Sequence, residues 1–402
     1  MKRILILALA QAMVLGALTA PAVVGLSIDV RRLLPHGDEA GALGAIISSG
    51  SVAALIANPF FGWLADATGR RRTLLVAGAV GGFAGCAALL WAPSIGMLTA
   101  AWVAAQVGYN MCFGAINGLV SAQLAPADRT RAAGVLSAVT VLGTLPGLAA
   151  AAVFSDDHAL MVLAMPAVTL VAVPLLASRL SGRSASAARR VPLRVPIRTI
   201  TTSAFLLAVA ARFVIALELA AGLVFALYLF TDRWHLGTPA AVRLVSLATL
   251  LGALGIVAAS SAISLTRLRT IDARILLGCG LGALALGTVA RGLAPTPTVF
   301  LAATVVAGCA IGAGFTASRS LAQSALPATD SGLGLGIFNA ANTLAPAVAP
   351  LLAGALVTPG LIPWQPDGYA AMYLFLVIPI VLCAAAIPAS LIRRRRSAAT
   401  TT

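Results

Sequence analysis

Uncharged apolar runs long enough to cross a bilayer recur from one end of this chain to the other. Residues 4–27, 73–92, 159–177 and 370–392 carry no charged side chain. Each comes close to or exceeds the roughly 20 residues that a helix needs to span about 30 Å of hydrocarbon. None alternates apolar and polar residues with period two, which argues against an outer-membrane barrel. Read in this way, the spans fall at 4–28, 41–65, 73–92, 95–121, 132–154, 159–178, 203–229, 241–264, 274–293, 298–324, 333–357 and 369–391. Composition agrees, since 10% of residues are charged and 60% hydrophobic, against about 25% charged in a soluble domain.

The net charge of +15 would suggest a nucleic-acid partner in a soluble protein, but its distribution excludes one. Twenty of the 27 basic residues fall between spans on one side: Lys2, Arg3, Arg70, Arg71, Arg72, Arg129, Arg131, Arg179, the 183–198 arginines, Arg267, Arg269, Arg274 and the run from 393 to 396. Arg31, Arg32, Arg233, Arg243 and Arg291 fall in the opposite loops or helix ends, while Arg212 and Arg319 fall within spans. Positive residues concentrate on the cytoplasmic side of membrane proteins. Both termini are therefore expected in the cytoplasm of a multi-pass protein of the cell inner membrane. Residues 1–20 have the make-up of a secretory leader, with Lys2 and Arg3 before an apolar stretch. A second span follows at once, so they are read as the first span.

The five cysteines lie within apolar runs without paired spacing and read as small hydrophobes rather than a disulfide or metal set. His36, His158 and His235 lie in expected outer loops near acidic residues, where solvated side chains are a simpler reading than a metal site. No metal and no cofactor is expected. An Arg-, Ser-, Ala- and Pro-rich stretch, 179–202, reads as a cytoplasmic linker between six-helix bundles at 1–178 and 203–392, with a basic tail at 393–402. The halves echo one another. Gln123, Pro126, Asp128 and Gly134 recur about two hundred residues later as Gln323, Pro327, Asp330 and Gly336. Such parallel repeats suit a carrier that rocks about a central site.

Between the second and third spans the chain reads Gly62-Trp63-Leu64-Ala65-Asp66-Ala67-Thr68-Gly69-Arg70-Arg71-Arg72. This resembles the signature loop of the major facilitator superfamily, except that Ala67 stands where the family usually has a basic residue. The resemblance implies an all-α integral membrane protein with twelve transmembrane helices in two pseudo-symmetric six-helix bundles. It also implies a cytoplasmic gate built from Gly62, Asp66, Gly69, Arg70, Arg71 and Asp128. There Asp66 would meet the positive end of the eleventh helix, and Arg70 would reach Asp128. The alternative is that the arginines merely anchor topology. The fourth span lacks the arginine of efflux members, and Gly143-Thr144-Leu145-Pro146-Gly147 only partly matches the motif of proton-driven exporters. The run Ala57-Asn58-Pro59-Phe60-Phe61-Gly62, together with Asn110, Ala325-Leu326-Pro327 and Leu335-Gly336-Ile337-Phe338-Asn339, is similar to bacterial relatives of the proton–sugar symporters. Arg319 departs from that group.

A charged side chain at bilayer depth costs about 2.5–3.5 kcal/mol and needs a partner or a wet cavity. Arg212 and Glu218 share the seventh span and Arg319 lies in the tenth. Six residues is about 240° around a helix, so Arg212 and Glu218 do not face one another. Arg319 is the expected partner of Glu218. Polar side chains line helical faces: Gln106, Asn110 and Asn117 in the fourth span, Arg319 and Gln323 in the tenth, Asn339 and Asn342 in the eleventh. Gln11 adds a polar group in the first span. Spans one, four, seven and ten wall the cavity in the family resembled, although such amides also serve simply to bond neighbouring helices.

The expected function is alternating-access transport of a small organic solute, coupled to protons through Glu218, by a monomer in the lipid bilayer. The alternatives are drug or natural-product efflux by proton antiport, a passive facilitator, and a non-transporting receptor or scaffold. No nucleophile motif, metal cluster or phosphate loop points to an enzyme.

Overall fold

The computed structural model describes all residues except 1, 36–37, 125–134, 137–138, 181–201, 327–330, 358–366 and 400–402. The helices are α1 (Lys2–Leu33), α2 (Glu39–Thr68), α3 (Arg71–Leu89), α4 (Ile95–Gln123), α5 (Val139–Val153) and α6 (His158–Ser178). They continue as α7 (Ser203–Val224), α8 (Ala226–Arg233), α9 (Thr238–Leu265), α10 (Ala273–Gly292), α11 (Pro297–Ala325), α12 (Ser331–Val357) and α13 (Gly368–Ala399). Among the described residues, ten helical segments have the length and hydropathy to cross a membrane. With α4 and the shorter apolar α5 they coincide in order with the twelve expected spans. The seventh span is interrupted at Phe225, which separates α7 from α8.

Short polar residues start these helices. Asp38, Ser94, Asp157 and Thr296 each accept a backbone N–H from the first turn of α2, α4, α6 and α11, satisfying donors that lipid could not. Gly69 ends α2 in the left-handed conformation, with φ of 66°, which a side chain would resist. In α1, one wide π-turn at Pro21–Gly25 lets the helix continue past Pro21. Large apolar side chains such as Val80, Leu286 and Leu382 are exposed along the helices, as expected where the surrounding medium is hydrocarbon.

Two compact units are distinguished: Met1–Arg190 with Val224–Ser246, and Val191–Leu223 with Leu247–Thr402. Each has a central helix that its neighbours approach closely. In the first unit, a Cβ placed on Gly114 of α4 would lie 2.7 Å from the Gly62 backbone of α2. In the second, a Cβ on Gly308 of α11 would lie 2.4 Å from the Gly252 carbonyl of α9. The same pairing of helices recurs about two hundred residues apart. Helices in lipid gain little by burying apolar surface, so small residues that allow backbone contact carry much of their association. Gly308→Val is expected to lower the stability of the detergent-solubilised protein by about 1–3 kcal/mol, read as thermal unfolding. Gly282→Ala, whose Cβ meets nothing within 4 Å, is the control.

Candidate functional site

In the second unit, α7 carries both expected ionisable groups. Glu218 is wholly buried, and its Oε1 forms an ion pair with Arg291 near the end of α10. Thr288, one turn earlier on α10, donates to the same oxygen at 3.2 Å. The Arg291 guanidinium also lies 5.2 Å from the Tyr373 ring centre, and Tyr373 donates its hydroxyl proton to the Gly222 carbonyl of α7 at 3.2 Å. Among the described residues, Glu218 Oε2 is buried without a hydrogen-bond partner. The expected partner, Arg319, is exposed and takes no part in this cluster. Arg291, assigned to an outer helix end on sequence grounds, folds back into the bundle instead and is 6% exposed.

Arg212 lies elsewhere on α7, as the six-residue spacing requires. Its guanidinium carbon sits 3.8 Å from the Phe315 ring centre and 5.5 Å from that of Phe338. It is half-buried, with Nε lacking a hydrogen-bond partner, and forms no ion pair among the described residues. Arg319 is close enough to repel it. Gln323 and Asn339 are exposed and Asn342 is half-buried. The second unit therefore separates a closed acid–base pair from a guanidinium held by aromatic faces, which is available to an anion.

In the first unit the amides divide. Gln11 donates to the Leu136 carbonyl at 2.9 Å and to Thr140 Oγ1 at 3.2 Å. It thus ties α1 to the stretch leading into α5, which is the helix-bonding reading. Asn110 is buried and donates back to the Gln106 carbonyl at 2.9 Å and to its side chain at 3.2 Å. Asn117 is exposed.

At the signature loop, Asp66 pairs with Arg71 at 2.7 Å, and the Arg70 backbone N–H donates to Thr68 Oγ1 at 3.3 Å. Arg71 packs beside Gly118 of α4. Gly62 lies against Gly114 of α4, and Gly69 takes the left-handed turn that ends α2. Asp128 lies outside the described residues.

Sequence reasoning missed a second ionic cluster, at the end of the first unit opposite Lys2. His158, read as a loop residue, opens α6, and its Nε2 lies 3.0 Å from Oδ1 of the buried Asp29 on α1. Arg32 approaches the same oxygen at 3.2 Å. Nearby, Arg31 reaches Glu39 at 2.7 Å, Asp232 at 2.9 Å and Thr231 at 2.8 Å. The available signal was the i, i+3 spacing of Asp29 and Arg32, a helical pattern running past the first span as drawn. Among the described residues there is no group of His, Cys, Asp or Glu able to hold a metal ion.

A family model described as Major Facilitator Superfamily matches residues 4–272 and 245–402. No curated protein matches the chain. Among solved structures, a bacterial homologue of the human lysosomal transporter Spinster, inward-facing and occupied, aligns with a TM-score of 0.77 at 15% identity, over 96% of each chain. A variant of the nucleoside transporter NupG aligns with a TM-score of 0.72 at 14% identity, over 96% of this chain and 99% of that one. A D-xylose–proton symporter aligns with a TM-score of 0.71 at 13% identity, over 94% and 96%. At such identities the likeness establishes the fold of two six-helix bundles. The family match over the whole length goes further: the chain is a multi-pass membrane transporter belonging to the major facilitator superfamily.

Proposed function

We propose that this transporter moves a small organic solute across the cytoplasmic membrane by alternating access, coupled to protons through Glu218. The observation that carries the reading is a fully buried carboxylate on the seventh span with one oxygen in an ion pair and the other unpartnered. A charge in that setting is costly unless it is paired. Protonation of Glu218 would therefore release Arg291, and deprotonation would recapture it. A change of pairing of this kind links proton occupancy to helix position. The transporter would act as a monomer in the bilayer, with both termini cytoplasmic, as the distribution of basic residues suggests.

Arg212 gives the solute a chemical character. A guanidinium seated on Phe315 and, among the described residues, without a carboxylate partner suits an anionic or hydroxyl-rich group. The solved neighbours named for nucleoside and D-xylose transport are consistent with a polar solute, and the motif departures in spans four and five weigh against drug efflux.

The test is proton flux in proteoliposomes with an internal pH dye, against a panel of sugars, organic anions and antibiotics. Acidification of the lumen on adding a solute outside indicates symport, and alkalinisation of the lumen indicates antiport. Solute flux that ignores an imposed pH gradient would leave a passive facilitator. Glu218→Gln is expected to abolish proton-driven accumulation while sparing solute exchange. Undiminished accumulation by that variant would remove Glu218 from the coupling step.

A further inference from the structure

We propose, resting on the carrier reading above, that Arg212 and Arg319 together hold a small doubly negative solute, a dicarboxylate or a phosphate monoester. Both belong to the second unit. Arg212 stands nine residues into α7, about 14 Å from its start, and Arg319 six residues before the end of α11, about 9 Å from it. Both therefore lie at depths where a charge needs a partner or a wet cavity. Arg212 rests on the ring of Phe315, with its guanidinium carbon 3.8 Å from the ring centre. Arg319 follows Phe315 by one helical turn, so it shares the face of α11 that Arg212 approaches. The two cations are close enough to repel one another.

The described acids of this unit are engaged elsewhere. Glu218 pairs with Arg291, and Asp272 caps α10 beside Arg274. Asp367 accepts the backbone N–H groups of Tyr369 and Ala370 at the start of α13. Among the described residues, neither Arg212 nor Arg319 takes part in an ion pair. Asp330 lies outside the described residues. A guanidinium serving only to tie α7 to Phe315 would be weakened by a second cation beside it. Two neighbouring cations become favourable when one ligand neutralises both.

Charge and shape then define that ligand. The pair carries +2, so a neutral sugar leaves both charges uncompensated and a monoanion leaves one. A dianion brings the site to zero. A ring against the face of a guanidinium leaves its in-plane N–H fork, which matches the paired oxygens of a carboxylate or phosphate. Arg212, fixed on its ring, sets the orientation, and the exposed Arg319 closes on the second charge.

Calorimetric titration of the full-length protein in nanodiscs tests this, with succinate, glycerol 3-phosphate, butyrate and D-xylose as probes. A buffer of about pH 8 keeps the phosphate ester doubly charged, since its second ionisation falls near pH 6. At least one dianion is expected to bind about tenfold or more tighter than butyrate, with no heat from D-xylose. Succinate alone would specify two separate carboxylates, and glycerol 3-phosphate alone a phosphoryl group. Arg212→Gln and Arg319→Gln should each weaken that dianion about tenfold or more. Arg319 is exposed, so its variant decides the matter if Arg212→Gln fails to fold. Arg267→Gln, on the exposed turn before α10, is expected to change nothing. An equal loss there would reduce the attraction to diffuse charge and overturn the site. So would the absence of dianion binding, or butyrate binding as tightly. Tighter binding in Asp330→Asn would show Arg319 neutralised from within the chain, with the same consequence. The measurement uses no proton gradient and no flux. It can therefore fail while coupling through Glu218 stands, and the Glu218→Gln accumulation assay can fail while this site stands.

Discussion

Arg291→Leu is expected to cost the folded protein about 3–5 kcal/mol, because breaking a buried pair leaves the remaining charge uncompensated. That remaining charge is Glu218, which is wholly buried and would keep only the Thr288 hydroxyl. Thermal unfolding in a single detergent is the measurement. In lipid the unfolded helices also find partners, which pulls the cost toward the lower end of this range. Glu218→Gln is expected to cost less, since a neutral amide oxygen can still accept from both Arg291 and Thr288. The double replacement, Glu218→Leu with Arg291→Leu, should recover most of what Arg291→Leu loses. Replacing a buried pair by apolar residues of similar volume is often neutral or better. If the double variant instead shows the sum of the two single losses, the groups are not energetically coupled. Glu218 would then need a different partner.

The same cluster shows where sequence reasoning stops. Apolar runs fixed the number and order of the helices, because in hydrocarbon every backbone group must bond within its own segment. Gly69 was legible for a similarly local reason, since a helix end needs a left-handed residue. Partnership between helices is not local. Arg291 sits in the last turn of α10, where a basic residue usually snorkels toward water, and nothing in the spacing of α10 alone shows that it turns inward to α7. Arg319, the partner expected from the sequence, proved exposed. Gln11 looked like a cavity residue, but its hydrogen bonds run to the Leu136 carbonyl and Thr140, neighbours that no periodicity in α1 identifies.

Asp29 was lost through a boundary. The first span was ended at residue 28 because Asp29, Arg31 and Arg32 look like loop residues, whereas α1 runs on to Leu33. Charged residues at a helix end can stay helical when they satisfy one another, and here they do: Asp29 with Arg32, and Arg31 with Glu39. The charges that disguised the end of the helix are the groups that build the ionic cluster there.

Arg31→Ala is expected to loosen α8 with little effect on the rest of the first unit. Arg31 joins the end of α1 to Glu39 at the start of α2 and to Thr231 and Asp232 of α8. Its guanidinium also lies 4.4 Å from the Tyr228 ring centre, and Tyr228 donates its hydroxyl proton to the Ser27 carbonyl at 2.9 Å. The ion pairs are partly exposed, at 35% for Arg31 and 41% for Asp232, so each contributes at most about 1 kcal/mol. Together with the ring contact, their loss is about 1.4 kcal/mol, or tenfold in a local opening equilibrium. Amide hydrogen exchange across Ala226–Arg233 should therefore quicken about tenfold, while exchange in α3 and α4 stays unchanged. Tyr228→Phe, which keeps the ring under Arg31 but removes the hydroxyl, should give a smaller rise confined to the same helix. Since α8 follows the break at Phe225, it can detach from α1 without unwinding α7. Exchange in α8 that matches the parent in both variants would mean that apolar packing, not Arg31, holds the helix in place.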